Sequence, residues 1–153
     1  MASKNEKRKV VLASGVFDLL HLGHVRFLEE AKRAGGENAE LIVIIARDRT
    51  VEKRKGKKPI MPENQRRALV EALKVVDEAV LGYEEFDIER VIEKIKPDVI
   101  VVGYDQDEME RMVKNYVKER GLKIAVVKIG KFGEDELDSS SKIKQKIAED
   151  FRR

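Results

Sequence analysis

Five short apolar runs, Val10–Ala13, Leu41–Ala46, Ala79–Leu81, Val99–Val102 and Ile124–Ile129, recur along the chain, and segments of helical period separate them. A strand with one wet face alternates polar and apolar residues. A run that is apolar at every position belongs to a strand covered on both faces. The intervening segments place apolar residues three or four apart: Val25, Phe27, Leu28 and Ala31; Leu69, Val70, Leu73 and Val76; Ile88, Val91, Ile92 and Ile95; then Met109, Met112, Val113, Tyr116 and Val117. Strand and helix in strict alternation predict a parallel sheet with helices on both sides. Pro62 marks a helix start, Asp87 an N-cap, and Gly35, Pro97 and Gly121 follow helix ends. With no linker, repeat or low-complexity block, the expectation is one doubly wound α/β domain over residues 10–153. A flexible basic tail, residues 1–9, precedes it.

The 153 residues suffice to bury a real core, and 42% of them are hydrophobic. Charged residues make up 40% of the chain, yet the net charge is only +3. Both signs are interspersed, which describes a solvated, ion-pair-rich surface and not a nucleic-acid stripe. Together with few Asn and Gln residues, it points towards a thermophilic source. The absence of Cys excludes a disulfide scaffold and thiol catalysis. No apolar run approaches the ~18 residues of a membrane span, and no signal peptide is visible, so a cytoplasmic location is expected.

The first apolar run leads into Gly15-Val16-Phe17-Asp18-Leu19-Leu20-His21-Leu22-Gly23-His24, followed by the amphipathic Val25–Lys32. This reads as strand, turn and helix start. The two histidines of the chain stand three residues apart at that helix start, where unsatisfied N–H groups and the helix dipole favour an anion. Without Cys or a further suitably spaced ligand, a polyphosphate suits the pair better than a metal. Gly15 permits the tight turn, Gly23 lets a phosphate approach the backbone, and Asp18 pins the loop through local hydrogen bonds. Phe17 is a core residue whose backbone N–H remains available.

Three further stretches carry polar residues at the ends of the expected elements. Lys53, Arg54, Lys55, Lys57 and Lys58 crowd one segment after the second strand. A mobile loop there could close over a bound anion, with Lys57 and Lys58 as the residues that reach it. Gly103-Tyr104-Asp105-Gln106 forms a turn after the fourth strand, which Asp105 could cap. Ser139, Ser140 and Ser141 open the final helix, where serine is a good N-cap.

The box GVFDLLHLGH resembles the GxFDxxHxGH motif of the HxGH nucleotidyltransferase superfamily, which includes cytidylyltransferases and adenylyltransferases. The similarity runs from Val10 to Ile147. Within the superfamily the chain looks most like the archaeal FAD synthases, through Gly-Val-Phe-Asp, Ile-Ala-Arg-Asp-x-Thr-Val, Lys-Gly-x-Lys-Pro-Ile, Pro-Glu-x-Gln-Arg-Arg and Gly-x-Asp-Gln. The resemblance implies a Rossmann-like sheet of five parallel strands in the order 3-2-1-4-5. It places the nucleotide against Val16, Phe17, His21, Leu22, Gly23, His24, Asp105 and Ser139–Ser141, and it puts Asp18, Arg66 and Lys74 on the substrate side. His21 and His24 would act on the phosphates, assisted by Lys57 and Lys58. The chain departs from cytidylyltransferases at Val16, where Thr is common, and at Lys74, where Arg is common. It departs again at Lys131–Leu137, where those enzymes carry Arg-Thr-Glu-Gly.

The implied reaction transfers AMP from ATP to FMN with release of pyrophosphate, with Mg²⁺ accompanying ATP and a homodimer as the expected assembly. Neither nucleic acid nor membrane is an expected partner. Two alternatives stand beside it. One is a cytidylyltransferase acting on glycerol 3-phosphate or a related alcohol phosphate. The other is a nucleotide-binding module without catalysis.

Overall fold

The computed structural model describes residues 8–131 and 137–152. The chain runs β1 (Val10–Gly15), α1 (Leu22–Ala34), β2 (Glu40–Ile45), α2 (Asp48–Lys55), α3 (Glu63–Glu71), β3 (Glu78–Leu81), α4 (Ile88–Ile95), β4 (Val99–Val102), α5 (Asp107–Glu119), β5 (Ala125–Lys128) and α6 (Ser140–Phe151). All five strands pair in parallel in the order β3-β2-β1-β4-β5. Each apolar run of the sequence is a strand to within a residue or two.

The apolar strands divide their side chains between two cores by the period-two alternation of a strand. Val11, Ala13, Leu41, Val43, Val99 and Val101 face one side, where Leu28 and Ala31 of α1 and Val70 of α3 cover them. Leu12, Ile42 and Ile100 face the other, beneath Val91 and Ile92 of α4 and Val113 of α5. Leu28 is fully buried, and burying such a side chain contributes roughly 1.5–3 kcal/mol.

Local chemistry sets the helix ends. The Asp87 carboxylate accepts from the Arg90 N–H and starts α4. Pro62 is the N-cap of α3. In α2 the first turn holds Asp48 and the last turn Lys53, Arg54 and Lys55, an order that complements the helix dipole. Val51 anchors that helix in the interior. Gly56, at φ 78°, closes it in the left-handed conformation that glycine adopts without steric cost. The basic segment expected to be a loop is therefore mostly helix. Its charges satisfy the helix C-terminus, and only Gly56, Lys57 and Lys58 lie beyond it.

In the basic tail, Arg8 and Lys9 belong to the folded body. The Lys9 carbonyl accepts from the Glu40 N–H (2.8 Å), and Arg8 Nε donates to the Asn38 carbonyl (2.7 Å). The rest of the tail, residues 1–7, lies outside the described residues.

Strand order reverses between β1 and β4. In an open parallel sheet such a point leaves a crevice beyond the carboxyl ends of the strands, and ligands bind there. The histidine box leaves β1 on one side of this crevice. The Gly103 turn leaves β4 on the other.

Candidate active site

The β1–α1 loop has an unusual backbone. Phe17 (φ 54°) and Leu19 (φ 49°) both occupy the left-handed region without being glycine. Such residues cost on the order of 1–3 kcal/mol each and persist only where surrounding contacts impose them. Those contacts are present. Phe17 is buried, its ring packed at 5.3 Å against that of His24. Asp18, between the two, accepts from the Ile60 N–H (2.8 Å) and the Met61 N–H (2.9 Å) with its two carboxylate oxygens. Arg66 Nη1 donates to the Val16 carbonyl (2.7 Å).

This bracing delivers the histidines to the N-terminus of α1. His21 is the N-cap residue, and its backbone N–H donates to His24 Nδ1 (3.3 Å). An accepting Nδ1 leaves the ring proton of His24 on Nε2. The two imidazoles stack at 3.8 Å between centroids. Burial, and then the neighbouring His21 ring, push the His24 pKa from an ordinary 6.5 down to about 3. Burial lowers His21 as well, against the opposing pull of the Asp138 carboxylate. Both rings are therefore neutral near pH 7. They offer N–H donors to an anion without a fixed positive charge, and His21 Nδ1 is buried with no hydrogen-bond partner among the described residues.

The start of α6 closes the cradle. Ser139 caps the helix by accepting from the Lys142 N–H (3.2 Å), and Ser140 Oγ donates to the Asp18 carbonyl (3.1 Å). Ser141 is exposed. At Gly23 a Cβ would stand 2.1 Å from the Asp138 carbonyl oxygen, so glycine lets this segment lie against α1. The space read as room for a phosphate is occupied by chain. Two helix N-termini thus converge beside the stacked histidines, and Leu22, 41% exposed, stands at the first turn of α1.

The structure places other expected residues differently. The resemblance puts Arg66 on the substrate side, but it is completely buried. Its nitrogens donate to Met61 O (2.9 Å), Val16 O (2.7 Å) and Asp48 Oδ1 (2.6 Å), which commits the guanidinium to the scaffold. Asp18 likewise spends both oxygens on the 60–61 segment and acts as a brace. Lys74 precedes β3, three residues before Asp77. Asp77 accepts from the Leu41 N–H at the start of β2 (2.8 Å), so Lys74 lies at the amino-end rim of the sheet, opposite the cradle. Lys57 and Lys58 are exposed, two to four residues ahead of the amides that Asp18 holds, which stations them beside the cradle. Asp105 is exposed at the β4 turn. Of the divergent stretch after β5, residues 132–136 lie outside the described residues.

Sequence reasoning missed two positioning elements, although both sit inside motifs it quoted. Asp48 and Glu63 exchange caps: the Asp48 N–H donates to Glu63 Oε1 (2.9 Å) and the Glu63 N–H to Asp48 Oδ2 (3.2 Å). Arg47 closes on Glu63 at 2.9 Å. These contacts join the starts of α2 and α3. Gln106 accepts from the Gly103 N–H (2.7 Å) and donates to the Ser14 carbonyl (3.3 Å), which ties the β4 turn to the end of β1.

A parallel 3-2-1-4-5 sheet with a histidine-lined helix N-terminus at its switch point defines a nucleotidyltransferase, and the chain belongs to the cytidylyltransferase-like family, whose model matches residues 12–146. Curated relatives that it is similar to include archaeal FAD synthases. It is 54% identical to that of Ferroglobus placidus over 91% of this chain and 88% of the relative. It is 48% identical to that of Methanobrevibacter smithii over 94% of each. Among solved structures, a lipopolysaccharide core biosynthesis protein from Thermoplasma volcanium superposes with a TM-score of 0.73 at 42% identity, covering 83% of this chain and all of that one. Pantothenate synthetase from Thermus thermophilus shares the fold at 16% identity, with a TM-score of 0.61 over 88% of this chain and 60% of that one.

Proposed function

We propose that this nucleotidyltransferase transfers AMP from ATP to FMN, forming FAD and pyrophosphate. The observation that carries the reading is the pair of stacked, neutral imidazoles at the α1 N-terminus, in a chain 45–54% identical to archaeal FAD synthases. An oxygen of the FMN phosphate attacks the α-phosphorus of ATP in line. The new P–O bond forms as the bond to the bridging α–β oxygen breaks, and the electron pair leaves with pyrophosphate. The nucleophile is already ionised, so no general base is needed. The site acts by positioning and by stabilising charge on the transferring group.

In this reading His24 Nε2–H and the His21 ring donate to phosphate oxygens, with the first-turn amides of α1 and the start of α6 completing the cradle. Neutral donors suit this task, because they stabilise developing charge without gripping the product as a fixed ion pair would. Lys57 and Lys58 approach the leaving pyrophosphate from the end of α2. Mg²⁺ belongs to the nucleotide substrate. Among the described residues no three His, Cys, Asp or Glu side chains converge on a metal position, and the triphosphate oxygens are ligands of the kind Mg²⁺ takes. The cation neutralises charge on the pyrophosphate when bound.

A homodimer fits the same reading. The outer face of α6 carries Ile147 and Phe151, 48% and 87% exposed, and no residue of that helix is buried in the chain itself. Among the described residues no helix is long and apolar enough to cross a membrane. A matrix of ATP and CTP against FMN and glycerol 3-phosphate, with product identification, tests the assignment. FAD and pyrophosphate from ATP and FMN are expected. Turnover of CTP with glycerol 3-phosphate and none with FMN would replace it. No pyrophosphate from any pair would leave a binding module.

A further inference from the structure

We infer that Tyr104 is the stacking platform for the adenine ring of ATP, with Lys131 backing it; the inference rests on ATP being the nucleotide substrate. Tyr104 follows the last residues of β4 and is 48% exposed, a large aromatic ring left out of both cores. It does not sit on a loose loop. The Gly103 N–H donates to Gln106 Oε1 at 2.7 Å, the Gln106 N–H donates to the Gly103 carbonyl at 3.1 Å, and Gln106 Nε2 reaches the Ser14 carbonyl at 3.3 Å. The turn that presents the ring is thereby fastened to β1, the strand that delivers His21 and His24.

Lys131 Nζ lies 5.6 Å from the Tyr104 ring centroid, an attractive cation–π contact. It comes from the neighbouring strand exit: Ile129 N–H donates to the Val102 carbonyl at 2.9 Å, so the chain leaving β5 runs beside the β4 turn. The ammonium fixes one face of the ring and adds positive charge on that side of the crevice. Asp105, next in sequence and also exposed, offers carboxylate oxygens that can accept from an exocyclic amine or a ribose hydroxyl.

Position decides which ring stacks here. The phosphate cradle lies at the exit of β1. Neighbouring strands are about 4.8 Å apart, so the exits of β4 and β5 stand roughly 5 and 10 Å away across the crevice. On the other side of β1 the cradle is walled by the Asp18–Ile60–Met61 clamp and the starts of α2 and α3. A nucleoside attached to phosphates in the cradle therefore extends over β4, where Tyr104 stands. Every base has a π-face, so a tyrosine platform supplies affinity while the Asp105 carboxylate supplies preference for an amino-bearing ring.

The test compares ATP with inorganic tripolyphosphate, which carries the phosphates without the base, as ligands of the full chain in the absence of acceptor. Tyr104→Ala is expected to weaken ATP about 5- to 150-fold, the range of base–aromatic stacking, while tripolyphosphate affinity changes less than about twofold. Tyr104→Phe keeps the platform and should bind ATP as the parent does. In turnover, Tyr104→Ala should raise KM for ATP and leave KM for FMN within about twofold. Equal losses for ATP and tripolyphosphate, no loss for either, or a rise confined to KM for FMN each overturn the inference. If the unaltered chain makes no FAD, the assigned reaction falls; the binding comparison still decides Tyr104 separately.

Discussion

Replacing Arg66 by Leu separates a scaffold role from a substrate role. The guanidinium is fully buried, and its three donors meet Met61 O, Val16 O and Asp48 Oδ1 at 2.6–2.9 Å. Leucine fills part of the volume but leaves two carbonyls without their donor and the Asp48 carboxylate without its charge partner. Breaking one side of a buried ion pair costs about 3–5 kcal/mol. For a domain near 150 residues each kcal/mol shifts the melting temperature by ~2–4 °C, so a drop of roughly 6–20 °C is expected. Activity should fall too, through geometry. Arg66 holds the Val16 carbonyl one residue before Phe17, and with Asp18 it grips Met61 from both its carbonyl and its N–H. A displacement of the loop by ~1 Å costs on the order of 10²-fold in rate. Arg66→Lys, which keeps the charge but cannot reach all three acceptors at once, should lose about half as much stability. Thermal and denaturant unfolding, read beside kcat and both KM values, make the measurement. An Arg66→Leu protein that melts like its parent and shows only a raised substrate KM would refute the reasoning and return the guanidinium to the substrate.

The other expectations follow from the same contacts. His24→Ala should lower kcat about 10²–10³-fold, the loss of one preorganised donor, and His24→Asn should recover part of it; near-normal turnover of His24→Ala would remove the residue from the mechanism. His24 also makes stability depend on pH. Its folded pKa of about 3 lies below the ordinary 6.5, so the unfolded chain takes up the proton first; stability is complete above pH 6.5 and falls as the pH drops towards 3. Between pH 6.5 and 5 this one group accounts for at most about 2 kcal/mol. Urea unfolding should show His24→Asn losing less over that interval than the parent, and parallel curves would contradict a buried neutral ring. Gly23→Ala brings a Cβ within 2.1 Å of the Asp138 carbonyl and must push the start of α6 outward by more than ~1 Å. Because α6 buries no residue, kcat should fall about 10²-fold with little change in melting temperature, and an unchanged kcat would detach α6 from the site. Lys57→Ala with Lys58→Ala should reduce kcat/KM for ATP about tenfold at low salt, with the gap narrowing as salt screens these exposed charges; wild-type kinetics at low salt would return them to the solvent.

The extent to which sequence reached these conclusions differs by element. The five strands were legible because a doubly covered strand needs apolar residues at consecutive positions, a local demand that Val99–Val102 meets without exception. Helix caps such as Asp87 were legible for the same reason, since the carboxylate and the N–H it satisfies lie three residues apart. The histidine box could be read as an anion site because both rings and the helix start that orients them fall within four residues. Tertiary structure decided what distant residues do to one another. Arg66 and Lys74 both looked like substrate cations; only the fold shows one enclosed by Met61, Val16 and Asp48 and the other at the opposite rim of the sheet. Asp18 could be seen to pin a loop, but not that it pins one forty-two residues away. Gly23 could be seen to make room, but the Asp138 carbonyl that fills the room comes from the far end of the chain. Charge and hydrogen-bonding capacity are properties of a residue and can be read from its name. Whether they are turned to a ligand or consumed by the protein depends on which groups the packed chain brings within about 3 Å, and that is settled only when the sheet and its helices close.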